Sequence, residues 1–323
     1  MHNKPKVLVV GSFVMDLIVS TDRFPDSGET VIGLDFKTAP GGKGANQAVQ
    51  AARLGAKVAM AGKVGKDDFG VKILKSVSES GVDVTRVALS DQKPTAIGNV
   101  QLEVTEQQTS NRILVVPGAN MDITCSDIAF LKDTISQLDM VLLQLEIPME
   151  INVEVARIAH DNGVPVMLNS APAAPLSDEL LSLLTYISPN EHEAAILTGI
   201  PVKDSVSAKQ AIHALLEKGV KNVLITMGNR GAAFGNENEF LLSPCFDYGK
   251  VVDPTAAGDS FVGAFCTAVC IGASHEDALR FANATAAITV SRMGAQPSLP
   301  VIDDVLEFME KQCLDIEIFK TLK

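Results

Sequence analysis

Short apolar runs alternating with longer amphipathic segments predict an α/β fold, with a mostly parallel sheet covered on both faces by helices. Three observations carry that expectation. Residues 7–10, 58–61, 141–145, 166–168 and 223–226 are brief, mostly apolar runs, the length and composition of strands buried on both faces. Segments 45–54, 68–80, 151–162, 191–198, 206–218, 259–271 and 275–292 carry apolar residues at helical spacing between and after those runs. Two stretches break that rhythm and read as extended strands: 16–38 after the first strand, and 95–117, which alternates apolar and polar residues without a helix. Placed at the ligand-bearing edge of the sheet, they would pair into a small β-sheet lid over about 14–39 and 95–117. A surface hairpin accounts for the same pattern. No repeat, low-complexity tract or Ser/Gly-rich linker divides the chain, so residues 1–323 are expected to form one domain with an insertion.

The 323 residues are 46% hydrophobic, ample for a large core, and carry a formal net charge of −12. A field of that sign argues against nucleic-acid or anionic-membrane partners, and an anionic substrate would need a local positive pocket. Cys125, Cys245, Cys266, Cys270 and Cys313 show no paired metal spacing, and with no signal sequence they point to a reducing cytoplasm. Cys266 and Cys270 stand four apart in an apolar helix, where packing is the simpler reading than metal binding. No apolar run is long enough to span a bilayer. The histidines form no His-Glu-x-x-His pattern, and no Gly-x-x-x-x-Gly-Lys-Ser/Thr phosphate loop occurs.

Chemistry concentrates first in Asp253-Pro-Thr-Ala-Ala-Gly-Asp-Ser-Phe261, where a loop enters an apolar helix. Ala256, Ala257 and Gly258 leave main-chain N–H groups reachable, and a helix start supplies unpaired donors and partial positive charge. Asp259 beside such an anion site is placed to take a proton from a hydroxyl attacking a phosphoryl group. The alternative is structural, with Thr255 or Asp259 capping the helix. A second cluster, Pro40-Gly-Gly-Lys-Gly-Ala-Asn-Gln47, is a glycine-rich turn running into helix 45–54. Its glycines allow close backbone approach or a hinge, and Lys43 and Asn46 offer polar groups to sugar hydroxyls. A plain bend is its structural reading.

Together these two clusters resemble the paired signatures of the ribokinase family of sugar and nucleoside kinases. Supporting pieces fall in the family's order: Gly11-Ser12 with Asp16, Gln144-Leu-Glu146, Ser188-Pro-Asn-Glu-His-Glu193, Thr226-Met-Gly-Asn-Arg-Gly231 and Gly294-Ala-Gln-Pro-Ser298. The resemblance implies a ribokinase-like three-layer αβα sandwich with a β-sheet lid, phosphorylation of D-ribose at O5 with ATP, and a homodimer formed through the lid sheets. It implies Asp259 as the base and the N–H groups of Ala256, Ala257, Gly258 and Asp259 as the cradle for the γ-phosphoryl group. Asp16, Gly42, Lys43, Gly44, Ala45, Asn46 and Glu146 would bind the sugar. Asn190 and Glu193 would orient phosphates and Mg2+ through metal-bound water, although their spacing also suits a capping box. Thr226, Met227, Gly228, Asn229, Arg230 and Gly231 would meet ATP, with Asn283 near the adenine. Potassium (K+) would bind Asp253 and Ser298 side chains and the carbonyls of Thr255, Thr289, Arg292 and Gly294.

Three positions depart from the family pattern. Val14 stands where a polar residue beside the sugar is frequent, which opens 2-deoxyribose or another pentose as alternative substrates; a nucleoside is the further alternative within the same family. Pro254 fixes its own φ and disfavours helical geometry at Asp253, stiffening the cation loop. Ser170 replaces a frequent Pro. A sensor that had lost the reaction would tolerate loss of Asp259 or its small-residue loop; both are present.

Overall fold

The apolar runs expected as strands lie side by side in the protein's computed structural model, which describes residues 4–104 and 109–323. The chain begins with β1 (Lys6–Val10), β2 (Val14–Thr21), β3 (Asp35–Gly41), α1 (Lys43–Arg53), β4 (Lys57–Gly65), α2 (Asp68–Glu79), β5 (Asp83–Ser90), β6 (Ala96–Val104) and β7 (Thr109–Val116). It continues through α3 (Leu131–Thr134), β8 (Met140–Leu143), α4 (Met149–Asp161), β9 (Val166–Asn169), α5 (Asp178–Leu183), β10 (Tyr186–Ser188), α6 (Glu191–Thr198), α7 (Ser205–Glu217) and β11 (Asn222–Thr226). β12 (Ala232–Gly235), β13 (Phe240–Ser243), α8 (Ala257–Cys270), α9 (His275–Val290) and α10 (Ile302–Lys311) complete it.

Nine strands form the large sheet in the order β13-β12-β11-β10-β9-β8-β1-β4-β5. From β5 to β11 every pairing is parallel, and β12 and β13 add an antiparallel edge. Alternation along a strand sends neighbouring side chains to opposite faces. Val7 and Val9 of β1 therefore join one core, with α1, α8 and α9, while Leu8 and Val10 join the other, with α4 and α7. Two apolar layers sandwich the sheet, which is why β1, β8 and β9 read as unbroken hydrophobic runs.

β2, β3, β6 and β7 pair separately into a four-stranded sheet of order β3-β2-β6-β7. Within the 16–38 stretch, β2 and β3 are antiparallel strands joined by a loop, and β2 pairs with β6. Residues 105–108 of the expected 95–117 segment lie outside the described residues.

α8 is buried along most of its length because it packs between α1 and α9. Gly263 permits the approach to α1: a β-carbon there would stand 2.9 Å from the Gln47 carbonyl oxygen. The helix starts at Ala257, two residues earlier than expected, so Asp259 occupies its first turn.

α10 and the 3-10 turn Ile318–Leu322 were absent from the sequence-based expectation. Val305, Leu306, Phe308 and Met309 bury one stripe of α10, and Phe319 stacks on Phe281 at 4.4 Å and 6°. Removing a fully buried aromatic ring leaves a cavity that the surrounding core fills only in part. Phe319→Ala is expected to cost about 3–5 kcal/mol, read as a lower urea midpoint with an unchanged slope.

Candidate active site

Strands β1, β8, β9, β10 and β11 run parallel, so their carboxyl ends share one edge of the sheet. The residues that follow those ends are Ser12, Gln144, Asn169, Ser188 and Thr226 or lie beside them. Open α/β sheets collect ligands at this edge. A cavity of about 240 Å³ lies there, walled by Lys43, Asn169, Ser188, Asn190, Glu193 and Thr226 and floored by Ala256, Ala257, Gly258 and Asp259. A larger cavity of about 510 Å³ opens near the amino ends of β1 and β4 beside Lys6, Lys57 and Arg86. The smaller one is the candidate site, because there a carboxylate stands beside unpaired main-chain donors.

The floor is built by backbone geometry. Ala256 precedes α8 with φ 61 and ψ 8, a left-handed conformation that costs a non-glycine residue about 1–2 kcal/mol. Neither Thr255 nor Asp259 caps the helix; Ala256 holds the cap position with no side-chain hydrogen bond. Ala257 N–H donates to the Pro254 carbonyl at 3.2 Å, while the N–H groups of Ala256, Gly258 and Asp259 have no acceptor among the described residues. Unpaired donors at a helix start make an anion cradle.

Asp259 is 7% exposed, and its carboxylate oxygens are held from α1: Asn46 Nδ2 donates to Oδ2 at 2.9 Å and Gln47 Nε2 to Oδ1 at 3.0 Å. Lys43, at the first position of α1, faces the carboxylates of Asp259, Glu146 and Glu193; burial works to lower its ammonium, but the three acids outweigh it and hold it above its ordinary value.

Glu146 accepts from Ser12 Oγ at 2.5 Å and from the Lys43 N–H at 3.0 Å, and Gly44 N–H donates to Ser12 Oγ at 3.2 Å. The turn needs its glycines. Gly42 has φ 97, and a β-carbon there would lie 2.8 Å from the Val14 nitrogen. Ala45 is fully buried in α1, where it packs in the core. Asp16, on β2 beside Glu146, is pushed up to about 6 by burial and then by the Glu146 charge. Gly98 of β6 pairs with Asp16 and leaves it room, since a β-carbon would collide with Asp16 Oδ1.

On the opposite wall, Asn190 and Glu193 form a complete capping box on α6 and also line the cavity. Burial raises Glu193 most, and the Asn190 N–H and Lys43 oppose it. Thr226 lines the cavity, Gly228 turns with φ 55, and Met227 is buried. Asn229 and Arg230 are exposed, the Arg230 guanidinium being tied to Glu191 at 2.6 Å. Gly231 lies against the Ser243 carbonyl, where no side chain fits. Asn283 does not line the cavity; its amide nitrogen donates to Ser243 Oγ at 2.8 Å and to the Ser243 and Pro244 carbonyls.

Behind the cradle, Asp253 Oδ1 accepts from the Thr255 N–H and Oδ2 from the Gly294 N–H, each at 2.9 Å. Burial opposes these bonds, yet together they hold Asp253 below its ordinary value. The Thr289 carbonyl accepts from the Arg292 N–H, the Arg292 guanidinium pairs with Asp304, and Ser298 Oγ donates to the Ala295 carbonyl. Ser12, Gln47, Gln144, Gly98 and Asn169 were not singled out for roles from sequence, although Ser12, Gln47 and Gln144 fall within quoted motifs.

A family profile described as pfkB family carbohydrate kinase matches residues 4–302. The chain belongs to that family. It is 41% identical over 302 residues to a ribokinase of Haemophilus influenzae, covering 94% of this chain and 97% of that protein. A deoxyribokinase of Salmonella typhi is 34% identical over 304 residues, covering 94% and 98%. The structure of Arabidopsis thaliana ribokinase complexed with ribose and ATP superposes with a TM-score of 0.89 at 35% identity, covering 95% of this chain and 99% of that one.

A half-buried acid raised to about 6 is a stability cost at neutral pH. Between the ordinary value of 3.8 and about 6 the folded chain keeps a proton that the unfolded chain has released, so stability falls as pH rises through that window. Asp16→Asn is therefore expected to be about 1–3 kcal/mol more stable than the parent at pH 8, with the gain shrinking toward pH 4 in thermal melts.

Proposed function

We propose that the protein transfers the γ-phosphoryl group of ATP to O5 of D-ribose, giving ribose 5-phosphate and ADP. The observation that carries this reading is Asp259 held beside three unpaired main-chain N–H groups, with Glu146 and Asp16 at the sugar end of the same edge. Asp259 takes the O5 proton as O5 attacks the γ-phosphorus, and the bond from that phosphorus to the β,γ-bridging oxygen breaks. The N–H groups of Ala256, Gly258 and Asp259, with the Lys43 ammonium, meet the negative charge on the transferring oxygens. Asp16, Glu146 and Asn46 orient the sugar; Asn46 Oδ1 is buried without a partner among the described residues and is left to accept from a hydroxyl. Thr226 and the Gly228 turn serve the nucleotide, with Asn283 fixing the 243–244 segment beside it.

Two ions belong to the same reading. Asp253 is an ionised carboxylate that pins residues 255 and 294 together, so the oxygen donors of Asp253, Thr255, Thr289, Arg292, Gly294 and Ser298 suit a hard monovalent cation, potassium. Bound there, the cation supplies positive charge behind the cradle. The described residues contain no cluster of three or more His, Cys, Asp or Glu that would hold a metal alone. Magnesium is accordingly assigned to nucleotide phosphates and water, with Asn190 and Glu193 as hydrogen-bonding partners.

The four-stranded sheet is assigned as a lid and a dimer contact in one chain-long kinase domain. By the strand register, Ile18, Val100, Ile113 and Val115 share the face that carries Asp16, and Ile113 and Val115 are 58% and 51% exposed. An apolar face of this kind is suited to a second copy. Among the described residues no helix is long and apolar enough to cross a membrane, and the free cysteines fit a cytoplasmic enzyme. Val14, 6% exposed at the start of β2, favours 2-deoxyribose as the second substrate to compare.

ATP consumption measured over ribose, 2-deoxyribose, other pentoses, fructose, fructose phosphates and nucleosides, in potassium or sodium, is expected to be highest with ribose; a nucleoside or fructose phosphate used far better would overturn the assignment. In the same assay Asp259→Asn is expected to lose about a thousandfold in kcat while still binding ribose and ATP. Light scattering is expected to show a parent dimer and a monomeric Ile113→Glu variant, and equal masses would remove the lid contact.

A further inference from the structure

The catalytic assignment leaves a buried amide network unused. Gln47 is fully buried in α1, and its Nε2 donates both to Asp259 Oδ1 at 3.0 Å and to Asn169 Oδ1 at 3.1 Å. Its Oε1 accepts from Gln144 Nε2 at 2.8 Å, and Gln144 is also fully buried. Gln144 packs against Gly11, where no side chain fits. Asn152 Nδ2 donates to the Gln144 carbonyl and Asn169 Nδ2 to the Ser188 carbonyl, each at 2.8 Å, so the network is tied to α4 and to β10.

The direction of donation is fixed by the acceptors Asp259 and Asn169, the latter held by its own bond to the Ser188 carbonyl. A carboxylate accepts only, so Asp259 requires the NH2 side of Gln47, and Gln144 offers its own NH2 to the remaining oxygen of Gln47. A reversed Gln47 amide would set oxygen against Asp259 Oδ1 and nitrogen against Gln144 Nε2, two repulsive contacts in a buried place.

We infer that Gln47, oriented by Gln144, is the positioning residue for the catalytic carboxylate of Asp259. Asn46 holds the other carboxylate oxygen at 2.9 Å, so the base is gripped at both oxygens by consecutive residues of α1. The inference rests on the reading of Asp259 as base. Gln47 touches neither sugar nor nucleotide in that scheme; its work is to keep one carboxylate rotamer aligned with O5, where a displacement of about 1 Å costs on the order of a hundredfold in rate. The charged groups facing Asp259 are Lys43 from α1 and Glu193 from α6.

Two substitutions test this. Gln47→Met keeps the volume but removes the donor, and kcat is expected to fall about 10- to 100-fold with KM for ribose and for ATP held within about threefold. Gln47→Glu sets a second carboxylate against Asp259; the pair then shares a proton, and the acid limb of kcat is expected to move up by about one pH unit or more. The position of that limb does not depend on how much enzyme is folded, so it remains readable if a variant is less stable. A parent-like kcat in Gln47→Met, or an acid limb in Gln47→Glu that coincides with the parent's, would overturn the positioning role. Asp259→Asn run alongside separates the two levels: its inactivity with an unmoved Gln47→Glu limb removes the role of Gln47 alone, whereas parent-like turnover by Asp259→Asn removes the reading of the base itself.

Discussion

The contact between the start of α8 and the first turns of α1 is the constraint on which the site depends. It brings Asp259 under Asn46 and Gln47, and it exists because Gly263 lets the two helices approach within reach of the Gln47 carbonyl. A carboxylate at 7% exposure needs donors close by, or the cost of burying its charge would be several kcal/mol. The amides of α1 supply them without adding charge. A lysine or arginine in that place would add a cation; neutral amides hold the carboxylate's geometry without one.

Charge is distributed unevenly about this contact. On one side stand Asp16 and Glu146, and on the other stands a floor of N–H groups without acceptors among the described residues. Lys43 faces both, among the carboxylates of Asp259, Glu146 and Glu193. A chain with net charge −12 thereby presents a local positive floor to an anion while keeping acceptors for hydroxyl groups. Asp16 marks the cost of that arrangement, since burial and Glu146 both work against its ionised form.

Much of this was legible in the sequence, for identifiable reasons. The strands buried on both faces read as unbroken apolar runs, and α2, α4, α6, α7, α8 and α9 carry helical periodicity, so the layer architecture followed. Asp259 was legible because small residues before an apolar helix are an unusual place for an acid. The short β10 and the edge strands β12 and β13 give too few residues for a period to show. α10 did carry a readable stripe in Val305, Leu306, Phe308 and Met309, and went unread. Asn190 and Glu193 show where residue type cannot decide: the capping box is real, and the same two side chains line the cavity. Gln47 and Gln144 stood in quoted motifs, yet a neutral amide announces no partner until the fold brings residues 97 apart in sequence together.

The left-handed Ala256 ties these threads into one argument about where the fold spends its stability. A glycine would adopt φ 61 without penalty, yet alanine is kept there at the head of α8. The conformation turns the chain from the Asp253 loop into the helix where Ala256, Ala257, Gly258 and Asp259 line the cavity, and Asp253, bonded to residues 255 and 294, braces the turn. A glycine at 256 would relieve the strain and also widen the range of loop conformations in the cradle. Alanine narrows that range, so the floor holds one arrangement of donors before any anion arrives. The same logic applies across the cleft, where buried amides hold Asp259 in place before any sugar arrives.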